Sequence, residues 1–196
     1  FLDTQLYAAQ GKAITNFSKY LPEPMSDLAQ QTLKDPYNFD FLTMRENYNE
    51  RELEDALTKN ITRFLLELGS GFAFVGRQVR LEINGNEFFI DLLFYHLKLR
   101  CYVVIELKVT EFKPEYLGQL GFYVTAINKQ MKRKEDSPTI GLIICKTKDR
   151  IIAEYALEGT NQPLGISQYD LVKIMPDELK NTLPSIEEIE NKLNEE

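Results

Sequence analysis

The sequence predicts a mixed α/β (α+β) fold, with a central sheet of mixed strand direction, flanking helices and an N-terminal helical arm. Three observations carry this. Apolar runs rich in β-branched and aromatic residues cluster between residues 72 and 109. Helix-period patterns flank them over about 49–69 and 114–131. Strand-like and helix-like segments then alternate to about residue 170.

In chain order, residues 1–20 read as a helix that stops before Leu21-Pro22-Glu23-Pro24, because proline breaks helices. A short helix is expected over about 25–33, with Ser26 as its cap. Residues 34–42 hold Tyr37, Phe39 and Phe41 and read as a docking segment, since clustered aromatics seek cover from water. From 49 to 69 the apolar positions Leu53, Leu57, Ile61, Phe64 and Leu68 recur at helical spacing, and Gly69 ends the helix. Strands at 72–83 and 87–95 are joined by Asn84-Gly85-Asn86, a hairpin turn. A third strand is expected at 101–109, followed by a helix from about Pro114 to 131. Then come a strand at 139–145, a helix at 149–158, a strand at 164–169 and two acidic helices near 177–182 and 185–195. The core order is thus αβββαβ, and the expected domains are an arm at 1–45, a core at 46–172 and an acidic tail at 173–196.

At 196 residues and 43% hydrophobic composition, the chain can bury one main core. It has no run of about 18 apolar residues and no signal-peptide pattern, so a cytoplasmic setting is expected. Cys101 and Cys145 lie in apolar strands and read as small buried thiols. The first residue is Phe1 rather than Met, so a longer parent protein is expected. The net charge of −7 divides unevenly: −3 over residues 1–50, 0 over 51–110, +3 over 111–150 and −7 over 151–196. Lys129, Lys132, Arg133, Lys134, Lys146, Lys148 and Arg150 make the basic stretch, which reads as a nucleic-acid surface or as solvated loops.

Two apolar strands carry charge. Asp91 sits in the second, and Glu106 and Lys108 in the third. Charge in a core is costly unless it is paired or binds metal. Glu106 and Lys108 are two apart and share a face, with Ile105, Leu107 and Val109 opposite. Antiparallel pairing brings Asp91 beside Glu106. Such hard oxygen donors suit Mg²⁺ or Mn²⁺, with the Leu107 carbonyl as a third ligand, and a lysine nearby can orient water or offset phosphoryl charge. A buried structural ion pair is the competing reading. Gln119 and Tyr123 share a helix face and could reach the site. On the 49–69 helix, Glu54 lies about 55° from the centre of the apolar stripe at 100° per residue, nearer the sheet than Glu52, Asp55 or Glu67. Arg77 and Gln78 interrupt the first strand; Arg77 could contact phosphate, against the stronger reading of a salt bridge or an exposed face. His96, the one histidine, lacks partners for zinc.

Glu54, Asp91 and Glu106-Leu107-Lys108 in an αβββαβ order resemble the PD-(D/E)xK nuclease superfamily, which has a restriction-endonuclease-like core. Residues 34–170 resemble its YhcG-type family more closely. The match is carried by Leu33-Lys34-Asp35-Pro36-Tyr37, Phe64-Leu65-Leu66-Glu67-Leu68-Gly69, residues 71–78, residues 90–96 and Val104-Ile105-Glu106-Leu107-Lys108. Gln119 and Tyr123 resemble an element of RecB-like nucleases. The resemblance implies a metal-dependent phosphodiesterase acting on nucleic acid, DNA above all. Asp91, Glu106 and Lys108 would be its catalytic core, Glu54 an additional acid, and Asp91, Glu106 and Leu107 the metal ligands. Ile90 stands where the superfamily usually has proline before the aspartate. The resemblance also implies a helical N-terminal domain that looks like a DNA-binding unit and is largely absent here, with residues 1–33 as its tail or the connection to it. The alternatives are a catalytically silent nucleic-acid-binding module, or an oligomerisation domain in which residues 1–45 are exchanged in a homodimer.

Overall fold

The fold was analysed in a computed structural model that describes residues 12–175. The strands are β1 (Ile14–Thr15), β2 (Tyr37–Asn38), β3 (Thr43–Arg45), β4 (Phe72–Ile83), β5 (Asn86–His96), β6 (Cys101–Glu111), β7 (Ile140–Thr147), β8 (Leu164–Asp170) and β9 (Lys173–Met175). The helices are α1 (Phe17–Tyr20), α2 (Met25–Thr32), α3 (Glu50–Lys59), α4 (Ile61–Leu68), α5 (Tyr116–Gln130) and α6 (Arg150–Glu158). The main sheet runs β1-β8-β7-β6-β5-β4, with β2 also paired to β8. β4, β5 and β6 are mutually antiparallel, whereas β6, β7 and β8 are parallel and linked through α5 and α6. This is the αβββαβ arrangement expected of the sequence.

Asn84 (φ 50°) and Gly85 (φ 76°) are both left-handed, as a tight hairpin turn requires. That turn sets the β4–β5 register. Side chains fill both faces of the sheet. On one face Leu92, Phe94, Ile105 and Leu107 pack with Leu53 and Leu57 of α3 and Phe64 and Leu68 of α4. On the other, Leu93, Val104 and Ile143 pack with Leu120, Val124 and Ile127 of α5 and Ala153 of α6. Each such fully buried Leu or Phe contributes roughly 1.5–3 kcal/mol. Gly141 admits α5 to the sheet, since a Cβ there would lie 2.8 Å from Leu120 and 2.9 Å from Val124.

The expected 49–69 helix is two helices. It opens with a capping box: the Asn49 side chain accepts from the Glu52 N–H, and Glu52 accepts from the Asn49 N–H. It breaks at Asn60, whose amide donates to the Ala56 carbonyl at 2.9 Å and competes with the helical ladder. Gly69, at φ 107°, closes α4.

The N-terminal segment also departs from expectation. Where a helix through residue 20 was predicted, Ile14–Thr15 pairs antiparallel with β8, and among the described residues before Leu21 only Phe17–Tyr20 is helical. The cause is the bare edge of β8: Asn16 accepts from the Leu164 N–H at 2.8 Å and donates to the Gln162 carbonyl. Further along, β2 pairs in parallel with β8. The docking expected of residues 34–42 is observed: Phe39 is wholly buried, with its ring 5.7 Å from Phe64 and 5.2 Å from Tyr169. Ala13, Phe17, Leu33, Phe39 and Met44 of this segment lie in the same core cluster as Leu53 and Phe64. Likewise, the expected tail begins with β9, which pairs with β3. The helices expected at 177–182 and 185–195 lie outside the described residues, as do residues 1–11.

Asp35 and Lys148 form a buried ion pair that clamps this segment to the end of β7, and Asp35 also accepts from the Gln168 N–H at 3.0 Å. Lys148 is thus removed from the expected basic surface, and Arg150 is paired with Glu154. Replacing Asp35 with Ala leaves the Lys148 ammonium buried and uncompensated. It is expected to destabilise the fold by about 3–5 kcal/mol in urea denaturation.

Candidate active site

β5 and β6 pair from His96↔Cys101 to Leu92↔Ile105, and there the regular pairing ends. The next position on each strand is Asp91 and Glu106. Each carboxylate then takes the place of a ladder carbonyl: Glu106 Oε1 accepts from the Asp91 N–H at 3.2 Å, and Asp91 Oδ2 accepts from the Leu107 N–H at 2.9 Å. The two acids cross-link the mouth of a fork whose prongs are the distal part of β5 and the end of β6. As the alternation predicts, Ile105, Leu107 and Val109 pack on the α3–α4 side.

Glu54 projects from α3, is 2% exposed and meets Gln78 of β4. The Gln78 amide donates to Glu54 Oε2 and also, at 3.3 Å, to Asp91 Oδ1. Gln78 has φ 46°, a left-handed value inside a strand, and lies between the paired positions Arg77↔Leu92 and Val79↔Ile90, opposite Asp91. A row Glu54–Gln78–Asp91–Glu106 thus crosses three strands from the helix. Arg77 is held by Asp55 at 2.5 Å and lies 3.4 Å from Glu54, so it is committed to ion pairs. The rival acids have other work: Glu52 completes the capping box, and Glu67 pairs with Lys34 and accepts from the Asn38 N–H.

Lys108 is 9% exposed. Its ammonium lies 3.6 Å from Glu50 at the start of α3 and 5.2 Å from the centre of the Tyr116 ring, a cation–π distance. Its charge partly offsets the upward shift that burial imposes on both Asp91 and Glu106. On α5, Gln119 is exposed and donates to the Tyr123 hydroxyl at 3.0 Å. Tyr123 is buried, and its hydroxyl is raised by burial and by the charges of Glu106 and Asp91. Gln119 therefore adjoins the acids through Tyr123. His96 stands at the opposite end of β5, where its Nδ1 accepts from the Leu99 N–H at 3.1 Å.

All three acids are pushed toward the neutral form. Burial dominates for Glu106, and the Asp91 charge adds to it; together they raise its pKa to about 8 against partial relief from the Asp91 N–H and Lys108. Burial also raises Asp91, offset by the Leu107 N–H, Lys108 and Gln78. It raises Glu54 as well, offset chiefly by Gln78.

Among the described residues, no group of three or more His, Cys, Asp or Glu converges as a ready cation cage. The donor set still fits a magnesium-like ion, which typically takes one or two carboxylates and keeps its water. Asp91 and Glu106 are adjacent hard-oxygen donors whose mutual repulsion and burial a cation would relieve.

Over residues 30–184 the chain matches the family described as YhcG PDDEXK nuclease domain. It belongs to that family. The chain is also similar to the Escherichia coli (strain K12) protein described as "Putative nuclease YhcG", at 37% identity over 174 residues. That alignment covers 87% of this chain and 46% of the relative, so the chain spans about half of that protein's length. Among solved structures it is similar to a repair endonuclease from Pyrococcus abyssi, with TM-score 0.40 and 18% identity over 66% of this chain and 50% of the other. It is also similar to an EndoMS-dsDNA2 complex, with TM-score 0.43 and 16% identity over 70% and 48% of the respective chains.

Of the candidate residues, Asp91, Glu106 and Glu54 are brought into one hydrogen-bonded row in this YhcG-family domain. Lys108 and Tyr123 flank it. Gln78 had no functional assignment from sequence. The signal was available in hairpin counting, because the Asn84-Gly85 turn fixes the register that sets Gln78 across from Asp91.

The raised Glu106 gives a signed pH dependence. Its ordinary value is 4.5 and its folded value about 8, so between these the folded form holds a proton that the unfolded form lacks. Its contribution to stability is complete below pH 4.5 and disappears as pH rises through about 8. In metal-free buffer, Glu106→Gln is expected to gain in Tm over the parent as pH rises from 5 to 9, by on the order of 5 °C, read by thermal denaturation.

Proposed function

We propose that this domain hydrolyses DNA phosphodiester bonds in the cytoplasm, using Mg²⁺ or Mn²⁺. The observation that carries the reading is the fork itself: the buried Glu106 and the half-buried Asp91 meet where β5 and β6 part, with a lysine beside them. Asp91, Glu106 and the Leu107 carbonyl would hold the ion. When bound, the ion supplies Lewis acidity at the phosphoryl oxygen and makes its water more acidic.

The chain's own residues do the rest. Gln78, held by Glu54, fixes the free oxygen of Asp91, and the Leu107 N–H fixes the other. Lys108 offsets negative charge developing on the phosphate and orients the attacking water, while Glu50 and Tyr116 steady its ammonium. The Tyr123 hydroxyl, bonded to Gln119, offers a polar contact on the α5 side. Membership of a nuclease family supports this assignment of roles.

With Mg²⁺ or Mn²⁺ and labelled DNA, the full-length protein is expected to cut. Glu106→Ala and Lys108→Ala are each expected to lose about 10²-fold or more in rate. A parent protein that binds DNA but never nicks it in either metal would instead be a silent binding module. Gln78→Ala is expected to lose less, about tenfold, with the deficit partly recovered at high Mg²⁺, because it orients a ligand and does not supply one.

A further inference from the structure

The α5 side of the fork carries two aromatic rings that the catalytic reading leaves unused. Phe88 lies on β5 three residues before Asp91, about 10 Å away by strand rise. Phe122 lies on α5 beside Tyr123, three residues after Gln119, so Gln119, Phe122 and Tyr123 share one helix face. The Phe88 and Phe122 rings are 4.8 Å apart, and the Phe122 and Tyr123 rings 6.0 Å apart. Phe88 is only half-buried and Phe122 is 40% exposed. A stepped aromatic surface thus leads from the acids to solvent along the hairpin.

Arg80, on the hairpin, is held between Glu82 and Glu87. A strand beside that hairpin finds apolar ring faces and, at Arg80, a charge already paired.

We propose that Phe122, backed by Phe88, stacks an unpaired base next to the phosphate held at Asp91 and Glu106, so that the substrate is DNA with a single-stranded segment at the cut. This rests on the nuclease reading above. The physical reason is access: in a paired duplex the base faces are hidden in the stack, whereas a ring at the rim of the fork can meet only a base that has left it. Stacking tolerates any base, so recognition is by strand structure rather than by sequence.

The test measures binding of the full-length protein by fluorescence anisotropy in EDTA, on a 30-mer single strand, a blunt duplex and a duplex with a single-stranded flap. Cleavage of the same three DNAs is followed separately in Mg²⁺. The expected result is tighter binding and faster cutting of the single strand and flap than of the blunt duplex. Phe122→Ala should reduce that binding preference by about 5- to 150-fold, and Phe122→Trp should retain it. Phe122→Leu, which keeps bulk without a π face, should behave as Phe122→Ala. Equal binding of the three DNAs, or a preference that survives Phe122→Ala and Phe122→Leu, overturns the proposal. A flap preference in EDTA that depends on Phe122, with no cleavage in any metal, upholds the stacking and removes the nuclease reading.

Discussion

The site depends on a substitution at two backbone positions. A strand pair that parts midway exposes N–H groups on both inner edges, and unpaired backbone donors are costly where water is scarce. Here the two residues at the parting point supply the missing acceptors themselves. Asp91 satisfies Leu107, and Glu106 satisfies Asp91. The carboxylates are therefore structural parts of the fork as well as its chemistry. Their geometry is set by the backbone, the stiffest support a side chain can have.

Placing two acids there has an electrostatic cost, and the surrounding residues reduce it unevenly. Gln78 bonds to Glu54 and Asp91 together and so holds two carboxylates at one amide. Lys108 helps both strand acids, while Glu50 draws its ammonium toward α3. The residual strain falls on Glu106, which prefers to be neutral. A site that is uncomfortable when empty and relieved by a cation is poised for binding, and functional sites commonly store such tension.

Most of the core was legible because its signals are local. Periodicity located β4 to β8 to within a residue or two, though not the short strands β1, β2, β3 and β9, and the Asn84-Gly85 turn fixed the hairpin. Asp91, Glu106 and Lys108 stood out because charge in an apolar strand is anomalous. Glu54 was found from helix phase alone. What sequence missed depends on long-range contact. Ile14–Thr15 joins the sheet only because β8, some 150 residues later, has a bare edge. The break at Asn60 turns on one side-chain hydrogen bond. The basic stretch looked continuous in sequence, yet Lys148 is buried against Asp35, and no local rule reports that.

The edge of β8 has a further consequence, for synthesis. Its partners Ile14, Thr15, Tyr37 and Asn38 leave the ribosome well before β8 does. At typical translation rates the interval is on the order of 10 s. Throughout it, Tyr37 and Phe39 have no Tyr169 to pack against and no strand to pair with. This segment is thus made before the strand it pairs with and settles only after that strand appears. A nascent chain stalled before residue 164 would present an aromatic, unpaired strand to chaperones or to other nascent chains.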